Sequence, residues 1–119
     1  MAKKLFLFLI LLTACGKPLP EFENMNLDAW KADKNGCSHE REKMIAALKE
    51  QKDKLKGLTE AEIIKLIGRP DQNELYKRNQ KFFHYYIEAS AKCDSANKNS
   101  KRLSIRFNAM ERAKEVEIE

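Results

Sequence analysis

The sequence predicts an α+β fold: two short helices packed on a three- to four-stranded antiparallel sheet, a two-layer sandwich with the order α-α-β-β-β. Two observations predict it. Between residues 39 and 67, apolar side chains recur at helical spacing. From residue 81 to the end they alternate with polar ones, as in strands. Helices followed by a run of strands are typical of α+β domains.

The first helix is predicted from residue 39 to about residue 54. Its apolar residues form a 3.6-residue stripe on a charged segment, and they are Met44, Ile45, Leu48 and Leu55, with Ala47 beside them. Ser38 precedes the stripe and offers a side-chain oxygen as N-cap. The lysines of this segment alternate with Glu50 and Asp53, which favours a solvated helix face over a binding patch.

The second helix has start and stop signals. Gly57 ends the first helix, and Thr59 with Glu62 forms a capping box, in which each side chain pairs with a free backbone N–H. Gly68 is expected at positive φ after the last turn, and Pro70 prevents continuation. We interpret Gly57, Thr59, Gly68 and Pro70 as structural. A helix of about two turns needs a sheet to pack on.

Four segments are candidates for strands. Residues 74–78 form a short strand, followed by a turn at 78–80 and an aromatic strand at 81–88. Residues 89–100 are polar and form a loop. Residues 103–107 form a half-buried strand, 108–111 a turn, and 112–119 the last strand. The inward residues are Phe83, Tyr85, Ile87, Leu103, Ile105, Phe107, Val116 and Ile118.

The aromatic strand is apolar on both faces. Phe82, His84 and Tyr86 fall opposite the predicted core, and we expect His84 to be a half-exposed strand residue. An exposed aromatic cluster is typical of an interaction surface. Either these three side chains form the candidate interaction surface, or the loop at 89–100 or the N-terminal segment with Trp30 covers them.

The N-terminus has the pattern of an export signal. Lys3 and Lys4 precede an apolar stretch at residues 5–12, which is far shorter than the roughly 20 residues that span a bilayer. Leu12-Thr13-Ala14-Cys15 resembles the lipobox of bacterial lipoproteins. We therefore predict a signal peptide at 1–14, cleavage between Ala14 and Cys15, and lipidation of Cys15.

The expected domain organisation follows from this signal. Residues 15–27, with Pro18 and Pro20, are predicted to be a flexible tether, and residues 28–119 a single periplasmic domain. Gly16, rather than an Asp, follows the lipidated residue, which favours the outer membrane of a diderm bacterium over the inner one. The predicted location is the cell envelope, with the domain lipid-anchored at the outer membrane and facing the periplasm.

The charge balance excludes several classes of protein. Of 23 basic residues, only Lys3 and Lys4 lie in the signal, so the mature chain is mildly basic with 18 acidic side chains. Such a chain is too short for a large enzyme and too charged for a polytopic membrane protein. Nucleic-acid binding is disfavoured by the exported location and by the acids that dilute the positive charge.

Cys37 and Cys93 are an even pair in an exported chain, which favours a disulfide. The alternatives are a metal site that includes His39 and His84, and a catalytic thiol. Cys-x-His is a poor ligand spacing, and neither histidine has a second partner nearby in sequence. We expect no metal, no cofactor and no catalytic residues, and therefore a protein that is not an enzyme.

Several motifs together resemble a known family. They are Gly57-Leu58-Thr59, Glu62-Ile63, Leu66-Ile67-Gly68-Arg69-Pro70, the aromatic strand from Phe83 to Tyr86, and Leu103-Ser104-Ile105-Arg106-Phe107. Together with the lipobox they resemble the SmpA/OmlA (BamE-like) family of small outer-membrane lipoproteins over residues 57–119. The long loop with Cys93 and the segment 30–56 with Cys37 depart from the family pattern.

The resemblance implies a function as well as a fold. Members of that family are accessory subunits in β-barrel protein assembly and contact lipid headgroups. We therefore expect a non-enzymatic scaffold or accessory subunit whose partners are envelope assembly proteins. The alternative is a periplasmic binding or inhibitory module that captures a protein or small ligand on the aromatic sheet face.

Two basic clusters are candidate contacts for anionic lipid headgroups. One lies at the predicted first hairpin and the other at the loop before the third strand. Their members are Lys77, Arg78 and Lys81, and Lys98, Lys101 and Arg102. On a tethered domain each charge near the surface contributes about 1 kcal/mol. Simple solvation is the other interpretation of both clusters.

Overall fold

The computed structural model describes residues 18–119. The elements in chain order are α1 (Leu27–Ala32), α2 (Glu40–Lys43), α3 (Ile45–Gln51), α4 (Glu60–Ile67), β1 (Gln72–Tyr76), β2 (Gln80–Tyr86), β3 (Arg102–Phe107) and β4 (Ala113–Ile118). Short 3-10 turns lie at Lys34–Gly36 and Lys52–Leu55. The predicted signal peptide, the cleavage site at Ala14 and the lipidation site Cys15 lie outside the described residues.

The sheet confirms the predicted α+β class. Its four strands are antiparallel and lie in the order β1-β2-β3-β4, so each strand pairs with its neighbour in sequence. Phe83 lies opposite Ile105, and Ile105 lies opposite Val116, which places all three on one face. Because side chains alternate along a strand, Phe82, His84 and Tyr86 occupy the other face. The predicted division of β2 into two faces is therefore confirmed.

The core lies between the inner face of the sheet and the helices. Every inward residue that the strand pattern predicted is buried, except for Ile118, which is half-buried. The buried apolar residues are Trp30, Met44, Leu48, Leu55, Ile63, Leu66, Ile67, Phe83, Tyr85, Ile87, Leu103, Ile105, Phe107, Ala113 and Val116. Burying apolar surface from both layers is the main favourable contribution to folding.

Helix α4 has the predicted caps. The Glu62 N–H donates to Thr59 Oγ1 over 3.2 Å, and the Thr59 N–H donates to Glu62 Oε1 over 3.0 Å. Gly68 ends the helix with φ of 84°. The Tyr85 hydroxyl donates to the Gly68 carbonyl over 2.7 Å, which fixes the end of the helix to the sheet. Burial raises the pKa of this hydroxyl well above its usual value.

The first predicted helix is interrupted. It divides at Met44, whose N–H bonds to the Arg41 carbonyl three residues back, and its last turn is a 3-10 turn. The predicted N-cap at Ser38 is wrong, because His39 occupies that position with φ of 62° and makes no side-chain cap. The Asp33 carboxylate instead accepts from the N–H groups of Ser38 (2.6 Å) and Arg41 (3.0 Å).

The predicted tether is in contact with the domain over most of its described length. Leu19, Phe22 and Met25 pack against the core, and Gln51 exchanges hydrogen bonds with the backbone of Glu23 at 2.7 Å in both directions. Helix α1 then begins at Leu27. This helix was not predicted, because six residues are too few for an apolar period to be recognised.

Strand β1 lies two residues earlier than predicted. It begins at Gln72, because the N–H of Asp71 already donates to the His84 carbonyl over 2.9 Å. The turn that follows contains Arg78 and Asn79 at positive φ. Asn adopts this conformation readily, but Arg does so only rarely. The turn occupies residues 77–79, one residue earlier than the predicted 78–80.

A buried ion pair joins the helices to the sheet. The Arg41 side chain is about 1% exposed, and its Nη1 lies 2.6 Å from Asp71 Oδ2. The same Nη1 donates to the Tyr86 carbonyl over 2.9 Å, and Nε donates to the Trp30 carbonyl over 2.9 Å. One guanidinium therefore connects α1, α2, the residue before β1, and the end of β2.

Asp71 completes this connection. Its Oδ1 accepts from the N–H of Asn35 over 2.9 Å, and its Oδ2 accepts from the N–H of Tyr86 over 2.8 Å. The Arg41 guanidinium also lies over the Trp30 ring, 5.0 Å from its centroid. A buried charge is tolerated only where its hydrogen bonds are satisfied in this way.

The disulfide joins Cys37 and Cys93, which confirms the predicted pairing. It fastens the loop at 89–100 to the 3-10 turn at Lys34–Gly36. The two segments also meet through their backbones, because the N–H of Ser90 donates to the Asn35 carbonyl over 2.9 Å. Gly36 is required there, since a Cβ on it would lie 2.6 Å from the Glu88 carbonyl oxygen.

Replacing Arg41 with Ala should lower the free energy of unfolding by about 3–5 kcal/mol, because the Asp71 carboxylate would stay buried without its cation. Urea unfolding followed by circular dichroism measures the change. Arg69→Ala is the matched control, because Arg69 is exposed and its loss should change stability by no more than about 0.5 kcal/mol. Equal effects of the two substitutions would contradict the structural role of Arg41.

Replacing both Cys37 and Cys93 with Ser should lower the free energy of unfolding by about 4 kcal/mol, because the bridge closes a loop of 56 residues. The comparison is between oxidised wild-type chain and the double variant in urea. Adding reductant should destabilise the wild type and leave the variant unchanged. A reductant effect of similar size in both proteins would contradict this explanation.

Candidate functional site

The predicted interaction surface lies on the outer face of the sheet, but its three residues are not equally accessible. Phe82 and Tyr86 are half-buried, whereas His84 is 2% exposed. The expectation of a half-exposed His84 is therefore wrong. Phe82 stacks on the imidazole at 5.6 Å between ring centroids, and polar side chains of β1 and β3 bond to it. The neighbouring side chains that contact this histidine bury it.

His84 forms a hydrogen-bonded row across three strands. Its Nε2 lies 3.0 Å from Glu74 Oε2 on β1, and its Nδ1 lies 2.7 Å from Ser104 Oγ on β3. Because a carboxylate only accepts, Nε2–H donates to Glu74, and the neutral ring accepts the Ser104 proton at Nδ1. Burial lowers the pKa of His84, against the opposing effect of Glu74.

The order serine, histidine, carboxylate is the one that hydrolases use to activate a hydroxyl group. Sequence reasoning missed this grouping, because Glu74, His84 and Ser104 meet only through the strand register. Ser104 is 3% exposed in the middle of the sheet, so a substrate carbonyl cannot approach its Oγ in this structure. The row is therefore suited to holding three strands in register.

The exposed aromatic surface extends from β2 onto β1. Tyr76 is 49% exposed and packs edge-on against Phe82, with 5.4 Å between ring centroids. Its neighbour Leu75 is 84% exposed, but Leu75 lies opposite Lys81, so its side chain is on the helix-side face of the sheet. All five residues of β1 are exposed, and the strand has no partner on its outer side among residues 18–119. The accessible apolar side chains thus lie nearer this edge than predicted, one on each face of β1.

Within residues 18–119, neither Trp30 nor the loop at 89–100 covers the whole outer face of the sheet. Trp30 lies in the core on the opposite side of the sheet, 6.3 Å from Tyr85 between ring centroids. The loop at 89–100 lies at one end, where it borders a cleft of about 380 Å³ beside Tyr86 and Arg102. Tyr76 and Phe82 are outside that cleft, so in the described part of the chain neither Trp30 nor this loop covers them.

The two cysteines and two histidines that the structure describes are not arranged as a metal site. Cys37 and Cys93 are bonded to each other, and His39 pairs with Glu42 at 3.3 Å. Within residues 18–119, no three His, Cys, Asp or Glu side chains are grouped so that they could hold a metal ion. His39, Glu42 and Glu88 line a polar cleft of about 610 Å³ against the loop at 89–100.

The basic clusters divide into paired and unpaired cations. Lys81 contacts Glu60 at 2.8 Å. Lys77 and Arg78 are exposed in the β1–β2 turn and make no ion pair with any residue that the structure describes. Lys98 and Lys101 are exposed in the loop before β3, and Arg102 is half-buried. The turn therefore places two available positive charges beside Leu75 and Tyr76.

Comparison with protein-family models, with curated proteins and with solved structures finds no match to this chain. The likeness to the SmpA/OmlA family stays a prediction that rests on the motif residues. Within the described part of the chain, no helix is both long enough and apolar enough to cross a membrane.

The stability of the protein should fall as the pH drops below about 6.5. Because burial lowers the pKa of His84, the unfolded chain binds a proton there at higher pH than the folded chain. The loss should end once the pH is below the folded-state pKa. Urea unfolding between about pH 7.5 and pH 4.5, compared with His84→Gln, isolates this contribution. A wild type that gains stability relative to His84→Gln on acidification would show that the Glu74 ion pair outweighs burial.

Proposed function

We propose that this protein is a lipid-anchored envelope lipoprotein. The carrying observation is the Cys37–Cys93 disulfide, because such bridges persist in oxidising compartments outside the cytosol. The four-residue sequence Leu12-Thr13-Ala14-Cys15 supports the anchor, and Gly16 after it supports the outer membrane. In this proposal the domain faces the periplasm and is bound to the membrane through acyl chains on Cys15.

In the envelope, the domain acts as a non-enzymatic scaffold or accessory subunit in the assembly of β-barrel proteins. Two features support this role. The motifs from Gly57 to Pro70 and from Leu103 to Phe107 resemble those of SmpA/OmlA lipoproteins. The second feature is a pair of exposed apolar side chains on β1, Leu75 on one face of the sheet and Tyr76 on the other, which fits contact with a protein partner. Lys77 and Arg78 are the candidate contacts for anionic lipid headgroups.

A second candidate is a binding or inhibitory module that captures its target on the aromatic face. The edge-on pair of Tyr76 and Phe82 favours it, since aromatic side chains contribute strongly to interfaces. For that function, Phe82→Ala should abolish capture of a soluble target while the chain stays folded. For the accessory role, the same substitution should leave the protein associated with membrane-embedded partners.

Cys15→Ala should release the protein from membranes into the periplasmic fraction, because each lost acyl CH₂ removes about 0.8 kcal/mol of membrane binding. Fractionation with detergent and high-salt extraction measures the shift. Cys37→Ser with Cys93→Ser is the matched control, and that variant should stay in the membrane fraction. Wild-type protein and Cys15→Ala distributed identically would contradict lipidation at Cys15.

Affinity purification of the full chain from detergent-solubilised native membranes tests the accessory role. The expected result is co-purification of β-barrel assembly proteins. Cys15→Ala should lose most of these partners because it is no longer held beside them. Recovery of no envelope assembly protein from wild-type membranes would refute the accessory role.

A further inference from the structure

The two edge strands of the sheet, β1 and β4, differ in how far their outward backbone groups are hydrogen-bonded. On β4 the Ala113 carbonyl accepts from the N–H of Gly57, and the Ala113 N–H donates to the Leu58 carbonyl, both at 2.8 Å. Lys52 Nζ donates to the Val116 carbonyl over 2.9 Å. The chain thus covers part of the β4 edge, whereas the outer edge of β1 pairs with no strand in the described range.

The register shows which β1 residues have backbone groups directed outward. The N–H of Tyr86 is directed towards the start of β1, where Asp71 accepts it, and the N–H of Ile87 is directed towards the Lys101 carbonyl on the β3 side. Because backbone groups alternate along a strand, the even-numbered residues of β2 bond to their even-numbered partners on β1. Asn73 and Leu75 therefore direct their N–H and C=O groups to the free edge.

Three common protections against pairing are missing from this edge, and its one charged side chain, Glu74, is bonded to His84. Natural edge strands are blocked by Pro, by Lys within the strand or by a β-bulge. The strand Gln72–Tyr76 contains none of these, and its register with β2 is continuous. It also exposes Leu75, which gives an added strand an apolar contact. Open backbone groups beside an exposed apolar side chain fit recognition by strand addition.

The charged residues around the β1 edge favour a binding segment of opposite charge. Arg69 lies before β1, and Lys77 and Arg78 lie after it. All three are exposed, and none makes an ion pair with another described residue. The one exposed acid within the strand, Glu74, is bonded to His84. An extended segment with acidic residues at both ends is complementary to this arrangement.

A second copy of this chain fits the edge poorly. A two-fold antiparallel pairing of β1 with β1 over its full length would place Glu74 opposite Glu74. It would also bring Arg78 of one copy near Arg69 of the other. Like charges at such positions destabilise cross-strand pairing.

We propose that the free edge of β1 binds an extended acidic segment of a partner protein as a fifth strand. The bound segment exchanges backbone hydrogen bonds with Asn73 and Leu75, and its terminal carboxylates contact Arg69, Lys77 and Arg78. The proposal rests on the proposed function only in taking an envelope protein as the source of the segment.

The test uses the full chain in detergent micelles and a blocked synthetic peptide, Glu-Glu-Val-Thr-Val-Glu-Glu. Hydrogen–deuterium exchange should show that this peptide protects the amides of Asn73 and Leu75. Lys77→Glu with Arg78→Glu should weaken binding about tenfold or more, because two attractive contacts become repulsive. The matched charge-reversal control, Lys49→Glu with Lys114→Glu, should bind like the wild type, because Lys49 lies on α3 and Lys114 lies on β4 at the opposite edge of the sheet, and both are exposed.

The backbone contribution has its own variants. Leu75→Pro removes an outward N–H without removing a β1–β2 hydrogen bond, and it should abolish binding. Leu75→Ala keeps that N–H and should retain binding at reduced affinity. If Leu75→Pro unfolds the chain, the proposal is tested instead by comparing peptide binding of the two charge-reversal variants.

Several results would overturn the proposal. They are no protection by the acidic peptide, equal binding of a peptide with Lys in place of Glu, and equal loss in both charge-reversal variants. A dimer in sedimentation that Leu75→Pro dissociates would assign the edge to self-pairing instead. Because the peptide assay does not depend on membrane location, its failure leaves the Cys15 result standing, and the reverse also holds.

Discussion

Arg41 carries a full positive charge in the interior of a small domain, and removing such a charge from water costs several kcal/mol. The structure offsets this cost with Asp71 and with the carbonyls of Trp30 and Tyr86. These partners lie in segments that are far apart in the sequence. Because the charge is stable only when all of them are in place, the helices and the sheet have one relative arrangement.

The position of β1 follows from this constraint. Asp71 is the residue immediately before the strand, and it is held by Arg41, Asn35 and Tyr86 at once. The start of β1 is therefore fixed relative to the core, and the position of its outer edge is fixed with it. The hydrogen bonds from Glu74 through His84 to Ser104 then join β1, β2 and β3 across the sheet. The candidate interaction surface is thus built on strands rather than on a loop, which keeps its backbone groups preorganised.

The sequence predicted those features that depend on local patterns. Thr59, Glu62 and Gly68 act within one helix, and the alternation at Phe83, Tyr85 and Ile105 reports burial directly, so they were found. Charged residues whose partners are distant in the chain were missed. Arg41 lies in a charged segment and has the pattern of a solvated residue, while its partner Asp71 lies 30 positions away.

The candidate site was predicted in part for the same reason. Alternation placed Phe82, His84 and Tyr86 on the outer face, but the burial of His84 depends on Glu74 and Ser104 across two strand pairs. The accessible apolar residues, Leu75 and Tyr76, lie on a strand whose position is set by Asp71. A prediction that placed β1 two residues late could not identify its free edge.

A double-mutant cycle between Arg41 and Asp71 tests the central role of the buried ion pair most directly. Free energies of unfolding are measured for the wild type, Arg41→Met, Asp71→Asn and the double variant. The predicted result is strong coupling. The double variant should lose about 1–3 kcal/mol less free energy of unfolding than the two single variants lose together. Additive losses would contradict the account, because they would show that the two side chains stabilise the domain independently.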